Sequence, residues 1–202
     1  MKTIIFDLGG VLFDWNPRHF YKTVFSSAQE MEVFLRDICN SAWVAQQDAG
    51  RTFDEGIAIA QKQHPQYARE IALYKTGWYK MINGVFYDTV DIVKDLKAKG
   101  YPLYALTNWE AETFVWTRKT FPFLSLFEGI VVSGEEKLIK PDARLYKVLL
   151  ERYNLKPEDC IYIDDNKDNV KTADELGMTT IHFTSPKDLK ERLDAMLAVQ
   201  LA

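Results

Sequence analysis

The sequence predicts an α/β protein: a doubly wound parallel sheet with an all-helical block inserted after the first strand. Three observations carry this expectation. Five short apolar runs are continuous rather than alternating, helical patterns separate the later runs, and residues 16–82 hold several helical segments and no convincing strand. Continuous apolar runs mark strands covered on both faces. Strand–helix alternation then builds a parallel sheet.

The strands are expected at Thr3–Asp7, Leu103–Thr107, Gly129–Val132, Cys160–Asp164 and Thr180–Phe183. The inserted block shows helical patterns near 17–25, 30–38, 41–49, 54–63 and 66–81, with a large share of the aromatic residues. After it, Val90, Val93 and Leu96 share one helix face, which Gly100 closes as a C′ residue. Pro141 is expected to open the helix carrying Leu145, Val148 and Leu149. The 202 residues thus divide into a core of 1–15 and 83–202 and an inserted domain of 16–82.

Composition narrows the class. At 47% hydrophobic residues the chain can bury an ordinary globular core. A net charge of −4 argues against a nucleic-acid partner and against docking to anionic membranes. Cys39 and Cys160 are far apart with no metal-like spacing, so they read as reduced, buried thiols. Asp7 and Asp14 interrupt the apolar N-terminus before a signal peptide could form, and no apolar run approaches the roughly 20 residues of a membrane span. A soluble, cytoplasmic protein is expected; oligomeric state is left open.

In open α/β sheets ligands bind beyond the carboxyl ends of the strands. The polar residues ending these strands are Asp7, Thr107-Asn108, Ser133-Gly134 with Lys140 beyond, and Asp164-Asp165. Each suits phosphoryl transfer. A carboxylate such as Asp7 can attack phosphorus and split one hard step into two. Asp7 and Asp165 can share Mg²⁺ with the Gly9 carbonyl, which lets two anions approach. Lys140, the Thr107 hydroxyl and the Asn108 N–H can hold the phosphoryl oxygens, and Gly9-Gly10 can turn backbone N–H groups toward them. Singly, each has a structural explanation: a strand-ending Asp, a capping box from Thr107 to Glu110, a solvated lysine, a helix-capping acid pair. Capping alone does not explain all four in order on one sheet.

At these residues the chain resembles the haloacid dehalogenase-like superfamily. Phe6-Asp7-Leu8-Gly9-Gly10-Val11-Leu12 looks like its first motif, Leu106-Thr107-Asn108 its second, Lys140-Pro141 its third and Ile163-Asp164-Asp165-Asn166-Lys167-Asp168-Asn169 its fourth. The resemblance implies a Rossmann-like core with the helical block as a cap that closes over small substrates. It further implies Asp7 as nucleophile and metal ligand, Asp165 as inner-sphere ligand, Asp164 and Asn169 holding metal-bound waters, and Thr107, Asn108 and Lys140 binding phosphate. The expected activity is Mg²⁺-dependent hydrolysis of a small phosphomonoester, on the pattern of sugar phosphatases acting on glucose 1-phosphate.

One position departs from the family's phosphatases. Many carry a second Asp two residues after the nucleophile as general acid and base; here that residue is Gly9. Asp14 lies close enough in sequence to be a substitute. The gap also raises two alternatives: a 2-haloacid dehalogenase, in which Asp7 attacks carbon without metal, and a non-catalytic relic that binds phosphate or a partner. Asp164-Asp165 argues against the dehalogenase, because adjacent carboxylates without Mg²⁺ would repel one another and an anionic substrate. In the cap, Trp15, Trp43, Trp78, Gln46, Gln47 and Arg51 are candidates for facing substrate, since Gln46–Arg51 is a polar break between helices. His19, His64 and His182 have no partner spacing and receive no role.

Overall fold

The computed structural model describes residues 1–198; the last four residues of the expected core lie outside the described residues. Among the described residues seven strands and eleven α-helices follow in chain order. β1 (Thr3–Phe6) and β2 (Phe13–Trp15) precede the helical block of α1 (Pro17–Tyr21), α2 (Ala28–Asp37), α3 (Ser41–Asp48), α4 (Phe53–Gln63) and α5 (Ala68–Gly77). Then come β3 (Ile82–Val85), α6 (Tyr87–Ala98), β4 (Leu103–Thr107), α7 (Ala111–Thr120), β5 (Gly129–Val132), α8 (Ser133–Glu136), α9 (Ala143–Arg152), β6 (Cys160–Asp164), α10 (Lys167–Glu175), β7 (Thr179–His182) and α11 (Pro186–Ala198).

The main sheet has the order β5-β4-β1-β6-β7, and all its pairs are parallel. β1 lies at the centre with Ile4, Ile5 and Phe6 fully buried, and its ladder reaches past the strand: the Asp7 N–H donates to the Ile163 carbonyl at 2.8 Å. Chain order runs outward from β1 through β4 to β5, then returns to its other side through β6 to β7. The switch point therefore falls at β1, where a doubly wound sheet opens its crevice. Asp7, Thr107 and Asp164 end the three central strands there.

The chain passes between sheet and helical block through β2 and β3, an antiparallel pair that the sequence did not predict. Both are too short to show a period, and Asn83-Gly84 inside β3 reads as a turn. The helical block packs on its aromatics, with Tyr21 against Phe34 at 4.9 Å and Trp43 against Tyr74 at 4.8 Å between ring centres. The helix expected over 17–25 stops at Tyr21. The one expected over 66–81 divides at Ala68–Gly77, with short 3₁₀ turns at Pro65–Tyr67 and Trp78–Met81.

Two caps differ from expectation. Asp142, not Pro141, opens α9, its carboxylate accepting from the Arg144 N–H. Glu110 is itself the N-cap of α7 and accepts from the N–H groups of Glu112 and Thr113, so no capping box starts at Thr107. The Thr107 hydroxyl is thereby left free of a capping task. Cys39 and Cys160 are buried free thiols, as expected. No described helix is long and apolar enough to cross a membrane.

Candidate active site

Lys140 is the hub of the strand ends. Its Nζ lies 2.9 Å from Asp7 Oδ1, 2.7 Å from Asp164 Oδ2 and 2.9 Å from the Leu106 carbonyl, with the side chain 1% exposed. No strand carries this lysine; the Asn108 amide clasps it in place. Asn108 Oδ1 accepts from the Lys140 N–H at 2.8 Å and Asn108 Nδ2 donates to the Lys140 carbonyl at 3.1 Å. Asp164 is fully buried and further accepts from the Tyr162 hydroxyl, the Asn166 N–H and the Asn169 amide. Such a saturated carboxylate is fixed in place.

Oxygens of Asp7, Asp164 and Asp165 all lie within 4.8 Å of one another. Three carboxylates against one ammonium leave two negative charges, which one divalent cation balances. The titration of the site expresses this excess. Burial raises the Asp7 pKa, Lys140 opposes it, and Asp164 and Asp165 add to the rise. Burial would lower the Lys140 pKa, but Asp7 and Asp164 overcome it and hold the ammonium charged. Asp165 is exposed as a residue, yet partial desolvation of its carboxyl and then the Asp164 charge raise its pKa too. An all-oxygen, anionic donor set of this kind suits a hard cation such as Mg²⁺. Gly10 belongs to the same geometry: its φ is +72° and the Asp165 carboxylate lies where a Cβ would stand. The Thr107 hydroxyl is fully buried at the strand end and has no hydrogen-bond partner, an orphan that asks for a ligand acceptor.

The structure brings Asp7, Gly9, Gly10, Thr107, Asn108, Lys140, Asp164 and Asp165 to this one edge of the sheet, with two corrections to their tasks, at Gly10 and Asn169. The Gly10 N–H donates to the Phe13 carbonyl at 3.0 Å and is not free for phosphate. The Asn108 side chain is spent on its clasp, so the phosphate contact expected of this residue falls to its backbone N–H. Asn169 braces Asp164 directly, its Nδ2 3.1 Å from both carboxylate oxygens.

A cavity of about 240 Å³ opens above the edge, with Gly9, Gly10, Asn108 and Asp165 on its floor. Trp15, Val44, Phe53, Trp78 and Trp109 form an apolar wall, and Gln47 and Asp48 reach in from α3. Of the candidates for facing substrate, Trp15, Trp78 and Gln47 line this cavity, the Gln47 amide being engaged by the Trp43 carbonyl and Arg51. Trp43 and Arg51 do not. Trp43 packs on Phe53 and Tyr74 inside the bundle, its indole N–H donating to the Gly56 carbonyl, because a large ring gains most by full burial there. Arg51 spends its guanidinium on Gln46, Gln47 and the Trp43 carbonyl. Asp14 is likewise withdrawn: Asn83 and His19 bind its two oxygens at 2.9 and 3.1 Å, the Asn83 bond foremost lowers its pKa, and it does not line the cavity. A carboxylate held ionised in this way is a poor acid.

Sequence reasoning missed Trp109, Phe53 and, above all, Asp48, although Asp48 sits inside the polar break it singled out. Burial pushes the Asp48 carboxyl up to about 7, Glu110 adds to the rise and Lys140 opposes it. A larger groove of about 460 Å³ between α6 and α11 holds none of the strand-end residues, so size does not locate the chemistry here.

Parallel sheet, switch-point carboxylates and buried lysine together define a hydrolase built on an α/β core with a helical insertion. The chain belongs to the haloacid dehalogenase-like hydrolases, whose family description matches residues 1–177. It is 27% identical over 189 residues to a sesquiterpene phosphatase of Aspergillus oryzae, covering 91% of this chain and 90% of that one. It is 32% identical over 106 residues to a glyceraldehyde 3-phosphate phosphatase of Methanocaldococcus jannaschii, covering 49% and 44%. A magnesium complex of a haloacid dehalogenase-family enzyme from Bacteroides thetaiotaomicron shares the fold, with a TM-score of 0.72, 22% identity and coverage of 91% and 93%.

Proposed function

We propose that the protein is a Mg²⁺-dependent phosphatase that cleaves a small phosphomonoester through an aspartyl-phosphate on Asp7. The observation that carries this reading is the buried Lys140 ammonium, bridging Asp7 and Asp164 beside the unpartnered Thr107 hydroxyl. Residues 1–15 and 83–202 would form the core, and residues 16–82 a cap over the cavity. Asp7, Asp165 and the Gly9 carbonyl would hold Mg²⁺, with Asp164 in support. The bound ion would offset the charge of nucleophile and phosphate together.

Asp7 then attacks phosphorus while Lys140 and Thr107 hold the phosphoryl oxygens, and water later releases phosphate from Asp7. Two of the relatives above are named as phosphatases, which supports the reaction class. A dehalogenase would leave Asp164 and Asp165, clustered beside Asp7, without a cation to bind. The buried free thiols fit a cytoplasmic location.

The test is a screen of hexose, triose and isoprenoid monophosphates beside 2-haloacids, with Mg²⁺ or chelator, on the wild type and Asp7→Asn. Metal-dependent phosphate release that disappears in Asp7→Asn is the expected result. Full activity in that variant overturns the covalent mechanism, and metal-independent halide release overturns the phosphatase.

A further inference from the structure

We propose that Asp48, delivered by the helical insertion, is the general acid and base that the core lacks at Gly9. The inference rests on the phosphatase reading and supplies its missing proton transfer. A Cβ built on Gly9 would meet nothing within 4 Å, so no neighbouring side chain has filled the space of the absent acid. Asp14 is committed to His19 and Asn83. The described carboxylates lining the cavity are Asp48 and Asp165, and Asp165 belongs to the acid cluster around Asp7. Asp48 remains.

Its surroundings suit the task. Among the described residues no hydrogen bond or ion pair engages the Asp48 carboxyl, whereas the nearby Glu110 carboxylate is spent on capping α7. Asp48 is the last residue of α3, at the negative end of that helix, which disfavours its ionised form. It is held from both sides. The preceding Gln47 donates to the Trp43 carbonyl and accepts from Arg51. Two residues on, Gly50 takes φ +98° where an added Cβ would run into the Lys137 side chain and come within 3.3 Å of the Gly134 carbonyl in α8. The charged or titratable groups facing it are Glu110 and Lys140 from the core, Asp165 on the cavity floor and Tyr74 from α5. Burial foremost, with Glu110 adding and Lys140 opposing, pushes its pKa up to about 7, which suits a group that must both give and take a proton.

The steps balance. An Asp7 oxygen bonds to phosphorus as the phosphorus–oxygen bond to the alcohol breaks, and the leaving oxygen takes the Asp48 proton. The Asp48 carboxylate then takes a proton from water, whose oxygen bonds to phosphorus as the bond to Asp7 breaks. Phosphate leaves and Asp48 is protonated again. In sum, ester and water give alcohol and phosphate.

The experiment compares wild type, Asp48→Asn and Gly9→Asp/Asp48→Asn in rapid mixing with Mg²⁺, on an alkyl monophosphate and on p-nitrophenyl phosphate. Asp48→Asn should lose at least about 100-fold on the alkyl ester, whose alkoxide needs a proton. With p-nitrophenyl phosphate it should keep a burst of phenolate within about fivefold of the wild-type rate, followed by slow turnover, because only the base is then missing. Gly9→Asp should restore at least about tenfold on the alkyl ester. A thermal midpoint at pH 8 no lower than the wild type's shows that the variant is folded. An alkyl-ester rate within threefold of wild type overturns the inference, and so does an equal loss of the burst. Wild-type activity that vanishes in Asp7→Asn but survives in Asp48→Asn refutes this inference alone. A wild type that hydrolyses neither ester refutes the phosphatase reading, and the role of Asp48 falls with it.

Discussion

Replacing Lys140 by methionine tests the electrostatic core of the site through stability, without any substrate. The ammonium has 1% of its side chain exposed and makes two ion pairs, to Asp7 and Asp164, plus a bond to the Leu106 carbonyl. Methionine fills a similar volume but strands two buried carboxylates. Removing one partner of a buried ion pair costs about 3–5 kcal/mol. For a chain of this size each kcal/mol moves the melting temperature by about 2–4 °C, so Lys140→Met should melt roughly 6–20 °C lower at pH 9 in chelator. The sign of the pH dependence follows from the carboxyls. Burial and its acidic neighbours already raise the Asp7 pKa to about 8; without Lys140 it rises further above the unfolded value, so the Asp7 share of the cost is complete only at pH above the raised value and fades as pH falls through about 8. Saturating Mg²⁺ should narrow the gap, because a cation then replaces the missing charge, and a ligand at about 100 times its Kd adds about 2.7 kcal/mol. Differential scanning fluorimetry over pH 6–9, with and without Mg²⁺, reads all three effects. A variant melting within about 2 °C of wild type in chelator at pH 9 would refute the picture of ionised, desolvated carboxylates held by this lysine.

Other expectations follow from the same geometry. Because burial and two neighbouring carboxylates raise the Asp7 pKa, a proton competes with Mg²⁺ for the site; calorimetry should show the apparent Kd rising about tenfold per pH unit as pH falls below the raised value, and a flat profile from pH 6 to 8 would contradict it. Gly10→Ala meets both a positive φ and the Asp165 carboxylate, so it should cost at least about 1 kcal/mol in urea unfolding and weaken Mg²⁺ binding at least about tenfold; unchanged affinity would show that Asp165 is not a ligand. Asp14→Asn should leave kcat within twofold, since its carboxylate is turned to Asn83 and His19. Its lowered pKa contributes stability above the unfolded value that is lost as pH falls through the folded one. At 35% exposure that contribution stays below about 1 kcal/mol, and a tenfold fall in kcat would reinstate Asp14 in the chemistry.

The sheet was legible because burial on both faces leaves a mark that local sequence cannot hide. Ile4-Ile5-Phe6, Ile130-Val131-Val132 and Ile161-Tyr162-Ile163 are apolar without a break, and the strands fall on those runs. β2 and β3 escaped notice because three or four residues show no period, and their pairing is set by the distant closure of the helical block. The same distinction runs through the site. Residues delivered by strand ends could be read from the chain, since Asp7, Thr107 and Asp164 each follow an apolar run that fixes where they point.

Lys140 also stood out in sequence, but its position depends on Asn108 reaching across 32 residues, a contact no spacing announces. The cap residues were hardest to read. Trp43 and Trp78 look alike as tryptophans in a helical block, yet one is locked among Phe53 and Tyr74 and the other lines the cavity. Which way each turns is decided by packing between helices rather than by its neighbours in the chain. Asp48 is the sharpest case. In sequence it is one more acid at a helix end, and that setting alone would leave it solvated and ionised. Only when α3 is laid over the sheet edge does it become a carboxyl with a raised pKa lining the same cavity as Gly9. An active site divided between a sheet and an insertion can therefore lose an acid from one half and supply it from the other, and a motif read on the core alone would record only the loss.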